Sequence, residues 1–197
     1  MKMKNVVKIM MLALALFVTQ QGFAQSNSIQ AGDQTVSLNL GYIAPTNDIE
    51  NEDWSKDGFT LGVQYVYYVA DRFALGAEIG QNWFSKYKVD DDSVRASITN
   101  FLLTARYNLL DENGTRIYIP ASIGVARTKV DILILGDSIS RSDTNLAWNA
   151  GLGFEHDIQE NVSLGLEVRF NQTSFKELGL DHHLDYTSAL LKISRRF

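Results

Sequence analysis

Apolar and polar residues alternate along most of this chain with a period of two, the spacing at which successive side chains of a strand point to opposite faces. Eight segments of roughly 10 to 13 residues carry the pattern. In the first, Val36, Leu38, Leu40 and Tyr42 share one face and Ser37, Asn39 and Gly41 the other. The second sets Phe59, Leu61, Val63, Tyr65 and Tyr67 against Thr60, Gly62 and Gln64, and the third sets Phe73, Leu75, Ala77 and Ile79 against Ala74, Gly76, Glu78 and Gly80. The fourth has Phe101, Leu103, Ala105 and Tyr107 against Asn100, Thr104 and Arg106, with Leu102 interrupting the polar face. In the fifth, Ile117 to Val125 alternate with Tyr118, Pro120, Ser122 and Gly124, and Pro120 is expected at a bulge or a locally unpaired position. The sixth pairs Leu146, Trp148, Ala150, Leu152 and Phe154 with Asn149, Gly151, Gly153 and Glu155. The seventh is the cleanest, with Val162, Leu164, Leu166, Val168 and Phe170 opposite Ser163, Gly165, Glu167, Arg169 and Asn171. The eighth runs from about Tyr186 to Phe197, and Leu190-Leu191 blurs its register.

The connections alternate too. Those near 70–71, 110–115 and 157–161 are short, whereas 44–57, 85–95, 129–142 and 172–184 are long and polar. An even number of strands, with short turns at one end and long loops at the other, predicts an all-β fold: an eight-stranded antiparallel up-and-down transmembrane β-barrel.

A soluble sandwich would bury the same apolar face, so the choice rests on three further features. The polar face is crowded with Gly41, Gly62, Gly76, Gly80, Gly124, Gly151, Gly153 and Gly165, which suits a narrow lumen. The apolar face carries aromatic residues near both ends: Tyr42, Phe59, Trp83, Trp148 and Phe170 toward the loops, and Tyr67, Phe73, Tyr107, Phe154 and Phe197 toward the turns. Two such belts match two membrane interfaces. An even strand count also lets the sheet close and lose its edges, as lipid requires.

Charge fixes the register. Glu78, Arg106, Glu155, Glu167, Arg169 and Lys192 all fall on the polar face, three acids against three bases. An Arg or Lys on the lipid face costs about 2–4 kcal/mol at the bilayer midplane, and a slip of one residue would put every side chain of a strand on the wrong face. The six are expected to form an ion-pair network sealing a lumen just wide enough for side chains.

The N-terminus adds location. Lys2, Lys4 and Lys8 precede an apolar run from Ile9 to about Val18 and then Gly22-Phe23-Ala24, the layout of a cleaved signal peptide over residues 1–24. The run is too short to span a bilayer as a helix, which takes about 20 apolar residues. The expected mature domain, residues 25–197, keeps 15 bases against 23 acids, a net charge of −8. That balance argues against nucleic-acid binding. With no cysteine there is neither a disulfide framework nor thiolate chemistry.

Four stretches resemble the small outer-membrane barrels that include the OmpA transmembrane domain, OmpX and the Ail-type adhesins, with OmpW more distant: VYYVADRFALGAEIG (66–80), IYIPASIGVA (117–126), AWNAGLGFEHDIQENVSLGLEVRF (147–170) and LLKISRRF (190–197). The resemblance covers the mature chain and implies an integral protein of a Gram-negative-type outer membrane, with loops extracellular and termini periplasmic. Leu191, Ile193 and Phe197 resemble the C-terminal signal read by the barrel-assembly machinery, although Arg195 stands where many relatives have an apolar residue. Periplasmic chaperones and lipopolysaccharide are the other implied partners. The peptidoglycan-binding module of full-length OmpA-like proteins is not expected.

Chemistry is sparse. RFNQTSF (169–175) lies where lipid A deacylases carry a His two residues before a nucleophilic Ser, but Gln172 occupies that position ahead of Ser174 and cannot act as a base. His182 and His183 are the nearest imidazoles. Asp181-His182-His183-Leu184-Asp185 reads as a solvated loop before a metal site, and the acids Asp48, Glu50, Glu52, Asp53, Asp57 and Asp90-Asp91-Asp92 lack EF-hand spacing. No catalytic residue, metal or cofactor is expected. Ile132, Leu133, Ile134 and Leu135 form an apolar patch between charges in the third long loop, which predicts either a protruding ribbon or a cover for the barrel mouth. An extended ribbon edge could take up an extracellular protein by β-augmentation. The leading expectation is therefore a non-enzymatic barrel with a structural or adhesin-like surface role. A narrow porin-like channel is the alternative, and a lipid A-modifying hydrolase comes third.

Overall fold

A computed structural model describes residues 28–46, 56–85, 87–89, 92–134, 137–177 and 180–197. The expected signal peptide, Leu135 and most of the loop acids (48–53, 90 and 91) lie outside them. The strands are β1 (Gln34–Pro45), β2 (Lys56–Ala70), β3 (Phe73–Ser85), β4 (Tyr87–Val89), β5 (Asp92–Glu112), β6 (Thr115–Ile134), β7 (Asp137–Gln159), β8 (Val162–Glu177) and β9 (Leu180–Arg196). Each pairs antiparallel with its neighbours, β9 returns to β1, and β3 joins β5 directly, so the sheet closes. The three-residue β4 prolongs β3 beyond the barrel, which leaves eight barrel strands. Followed across the ladders from Gly41, one direction reaches Thr128 and the other Tyr118, ten residues apart on β6. That stagger tilts the strands steeply against the barrel axis, roughly 40°.

The three short connections are two-residue turns, closed by Ala70–Phe73, Glu112–Thr115 and Gln159–Val162. In each, the ladder shifts register near the turn: between Tyr68 and Ala70 and between Asp157 and Gln159 just before the closing pair, and between Asn108 and Leu110 three pairs before the turn. The middle turn, Asn113-Gly114, has positive φ at both residues (51° and 72°), the backbone of a type I′ hairpin that Asn-Gly favours. The ladder from β6 to β7 skips Ile119 and Pro120, the place where a residue without an N–H costs no hydrogen bond.

The two faces separate as the alternation predicts. Leu103, Leu166, Leu146 and Phe59 are 69%, 62%, 62% and 55% exposed on the outside. Arg106, Glu155, Glu167 and Lys192 are buried within. The doubtful last strand resolves with Leu190 inward and Leu191 outward, and Leu102 turns out to be an inward residue with its own apolar partners.

The long loops are shorter than the polarity of the sequence suggests. Residues 129–134 and 137–142 continue β6 and β7, residues 92–95 belong to β5, and 172–177 and 180–184 extend β8 and β9. Polarity there reports emergence from the membrane, with the hydrogen-bond ladder unbroken. If the outer face meets hydrocarbon, Leu166→Arg will cost about 2–4 kcal/mol in denaturant titrations of the barrel in lipid vesicles. A polar change on an exposed face in water would cost almost nothing.

Candidate functional site: the sealed lumen and the loop-end ribbon

The lumen is built in three layers. At its centre the six expected charges join one network. Arg169 Nη1 lies 2.7 Å from Glu78 Oε1, and its Nε donates to Glu167. Lys192 Nζ sits 3.5 Å from both Glu167 and Glu155, bridging the two acids. Glu155 accepts from Arg106 Nη2 at 2.8 Å. Gln64 closes a circuit, accepting from Lys192 Nζ at 2.8 Å and donating to Glu78 at 2.9 Å. Tyr118 donates its hydroxyl to Glu167 at 2.7 Å, while the Arg106 guanidinium stacks 3.5 Å from the centre of its ring. The Tyr118 ring occupies the space where a side chain on residue 153 would stand, which explains the glycine there.

Two members of this network do not emerge from the six-residue reading. Arg116 pairs with Asp157 and lies 3.6 Å from Glu155. Both extend an existing alternation: Arg116 lies two residues before Tyr118, and Asp157 two after Glu155. With them the network holds four acids and four bases. Neutrality matters, because a buried charge left without a partner costs several kcal/mol.

Above and below the charges lie apolar layers. At the loop end Ile43, Phe84, Ile98, Leu102, Ala126, Ala147 and Tyr186 form a buried cluster, with the Phe84 and Tyr186 rings edge to face at 5.7 Å. The Tyr186 hydroxyl accepts from Asn82 at 2.9 Å, tying this cap to the polar core below. At the turn end Ile29, Val66, Tyr68 and Ala74 make a smaller cluster. Residues 28–33 cross the mouth there. Ile29 N–H donates to Asp111 at 2.9 Å, Ala31 N–H to Asp71 at 3.1 Å, and Gly32 N–H to the Tyr68 carbonyl at 2.8 Å. A cavity of about 10 Å³ beside Ile29, Arg116 and Glu155 has room for about one water.

At the loop end β6 and β7 stay paired to Ile134–Asp137, whereas β7 leaves β8 at Ala147–Thr173. Residues 137–146 therefore keep hydrogen-bond partners on β6 and, among the described residues, present an open edge on the other side. The candidates Ile132, Leu133 and Ile134 lie on this ribbon, with Ile132 opposite Val94 and Ile139. The ribbon is the extended one of the two arrangements expected for the patch.

The remaining candidates are also placed. Leu191, Ile193 and Phe197 follow one another on the outer face of β9, and the Arg195 guanidinium lies 5.3 Å from the Phe197 ring centre. Ser174 and His183 are direct partners across β8 and β9, but Asp185 takes a hydrogen bond from Gln172 at 2.9 Å, and Gln172 also accepts from the Trp148 indole. Among the described residues no cluster of three His, Cys, Asp or Glu side chains could hold a metal ion.

A closed antiparallel barrel with an apolar skin, aromatic belts and a neutralised interior defines the class: an integral β-barrel of the bacterial outer membrane. The chain belongs to the outer membrane protein beta-barrel domain family, which it matches over residues 10–197. No curated protein matches it in sequence. Solved structures share the fold. Ail, the attachment invasion locus protein of Yersinia pestis, superposes with a TM-score of 0.59 at 16% identity, covering 85% of this chain and 100% of that one. Neisserial surface protein A gives 0.60 at 14% identity, with 84% and 99% covered. The outer membrane protein OprG of Pseudomonas aeruginosa gives 0.50 at 14%, with 86% and 98% covered.

Lys192 bridges the buried Glu155 and Glu167, so Lys192→Met is expected to destabilise the barrel by about 3–5 kcal/mol in urea titrations in lipid vesicles. Adding Glu155→Gln should recover part of the loss. An unchanged midpoint for the single variant would contradict the pairing described.

Proposed function

We propose that this protein is a non-conducting, non-enzymatic outer-membrane barrel that holds a β-ribbon above the cell surface as an interaction site. The observation that carries the reading is the open edge of β7 over residues 137–146, about 33 Å of strand at 3.3 Å per residue. Backbone groups that point away from β6 on such an edge can add a strand from a partner, giving affinity through the backbone. Ail, a relative in fold, has been crystallised with a heparin analogue, sucrose octasulfate, which supports an outward-facing binding role for barrels of this shape.

The channel alternative is disfavoured by the two apolar layers. An ion would have to pass Phe84 and Tyr186, then the buried charge network, then Tyr68 and Ile29. On this reading the inward charges are structural. Biogenesis would use the removed leader, periplasmic chaperones and the Leu191–Ile193–Phe197 signal, and the finished barrel would sit among lipopolysaccharide.

Two measurements follow. Purified barrel in planar bilayers should give no steady unitary current, and reproducible openings would overturn the sealed lumen. Replacing residues 131–139 by a two-residue turn should leave the heat-shifted band of a folded barrel on detergent gels intact while abolishing adhesion of expressing cells to host surfaces. Adhesion unchanged by that deletion would remove the ribbon from the proposal.

A further inference from the structure

Residues 28–33 close the turn-end mouth without belonging to a strand, since β1 begins at Gln34. Ile29 is the buried side chain among them, whereas Ser28, Gln30, Ala31 and Gly32 are exposed. Three backbone N–H groups hold the segment to carboxylates: those of Ile29 and Ala31 reach Asp111 and Asp71, and that of Gln30 reaches Asp33 at 3.1 Å. Gly32 has a φ of +100°, a backbone that glycine adopts at little steric cost, and nothing lies within 4 Å of where its Cβ would stand. The antiparallel ladders start beyond it, at Gln34–Tyr67 and Thr35–Arg196. Rotation at Gly32 therefore swings residues 28–31 off the mouth without breaking a pair of the closed sheet.

Ile29 covers the turn-end edge of the charge network. It lines the same small cavity as Thr35, Arg116, Glu155 and Ser163. On the adjoining end of β5, Arg106 Nη1, Asn108 Nδ2 and Asp111 Oδ1 are buried with no hydrogen-bond partner among the described residues. Two donors and one acceptor in a layer suit water, which both gives and takes hydrogen bonds, better than an ion of either sign. The opposite cap is of another kind. Ile43, Phe84, Ile98, Leu102, Ala147 and Tyr186 all lie on paired strands, so exposing them takes disruption of the sheet itself.

We propose that residues 28–31 are a hinged plug, which swings about Gly32 to admit water from the turn side to the Arg116–Glu155 layer while the barrel stays closed. A segment held by one buried side chain and a few hydrogen bonds belongs to the low end of local opening energies, far below those of the barrel strands. The polar atoms under Ile29 gain partners when water enters, which favours the open arm. Opening makes no path through the barrel, because the loop-end cluster stays in place. The inference is independent of any partner on the ribbon.

The chain has no cysteine, so a single thiol reports one place. Ser163→Cys puts it on the cavity wall under Ile29, and Ala126→Cys in the loop-end cluster. Each folded barrel, in detergent micelles where both mouths meet water, is treated with a water-soluble methanethiosulfonate. The thiolate displaces methanesulfinate to form a disulfide, and the gain in mass is followed in time, each rate being divided by that of the urea-unfolded chain. The S163C barrel should react about tenfold or more faster than the A126C barrel, whose thiol waits for unfolding. Adding Ile29→Ala should speed the S163C reaction about tenfold, by weakening the burial that holds the plug, and leave A126C unchanged. Equal rates for S163C and A126C would mean that the lumen opens only by unfolding. An S163C rate indifferent to I29A would mean that water enters by another way. Either result overturns the proposal. Should S163C lack the heat-shifted band of a folded barrel, Thr35→Cys on the same cavity wall takes its place.

Discussion

In hydrocarbon no water is available to a backbone N–H or C=O, so every such group must find its partner within the protein. Everything else in this structure follows from that requirement. A sheet can meet it only by closing, and this one closes with eight strands and a ten-residue stagger. Closure at that size leaves a lumen as wide as its own side chains. The inward residues must then satisfy one another, and the outward ones must be soluble in lipid. Period-two alternation is the sequence's answer to both demands at once.

The interior resolves the second problem that closure creates. Charges were kept off the lipid face, so they had to go inside, where they are as poorly solvated as in any protein core. The eight charged side chains of the network, threaded through Gln64 and Tyr118, balance one another in sign. Apolar caps at both ends, one borrowed from the ends of six strands and one from residues 28–33, shield that network from water. The same packing that fills the interior is what supports the proposed role for the part that leaves the membrane, the β6–β7 ribbon.

Much of the architecture was legible in the sequence because alternation, turn length and terminal aromatics each encode one physical boundary. Val162–Phe170 announces its two faces without help from any neighbour. The layers inside the lumen were harder to see. Ile43, Phe84, Ile98 and Tyr186 face inward, yet locally each looks like the end of an apolar run or the start of a loop, and only closure shows that they meet. Leu102 appeared as a flaw in a polar face for the same reason. Asp157 fell within a short connection and Arg116 between a connection and a strand, although their parity matched Tyr118 and Glu155. For the ribbon the sequence left two arrangements open, because its polarity resembles that of loops. In strands above the membrane both faces meet water, and the hydrophobic signal fades while the hydrogen bonds persist.

The account turns on which face of each strand meets lipid, and β8 offers the most direct test. Single cysteines placed in turn at residues 163–170, each carrying a spin label in lipid vesicles, report collisions with membrane-soluble oxygen and with a water-soluble nickel chelate. Labels at 164, 166, 168 and 170 should respond to oxygen, most strongly at 166, and labels at 163, 165, 167 and 169 should be shielded from both. Shielded even positions and odd positions open to the nickel chelate would mean a soluble sheet with its apolar face turned inward, contradicting the account.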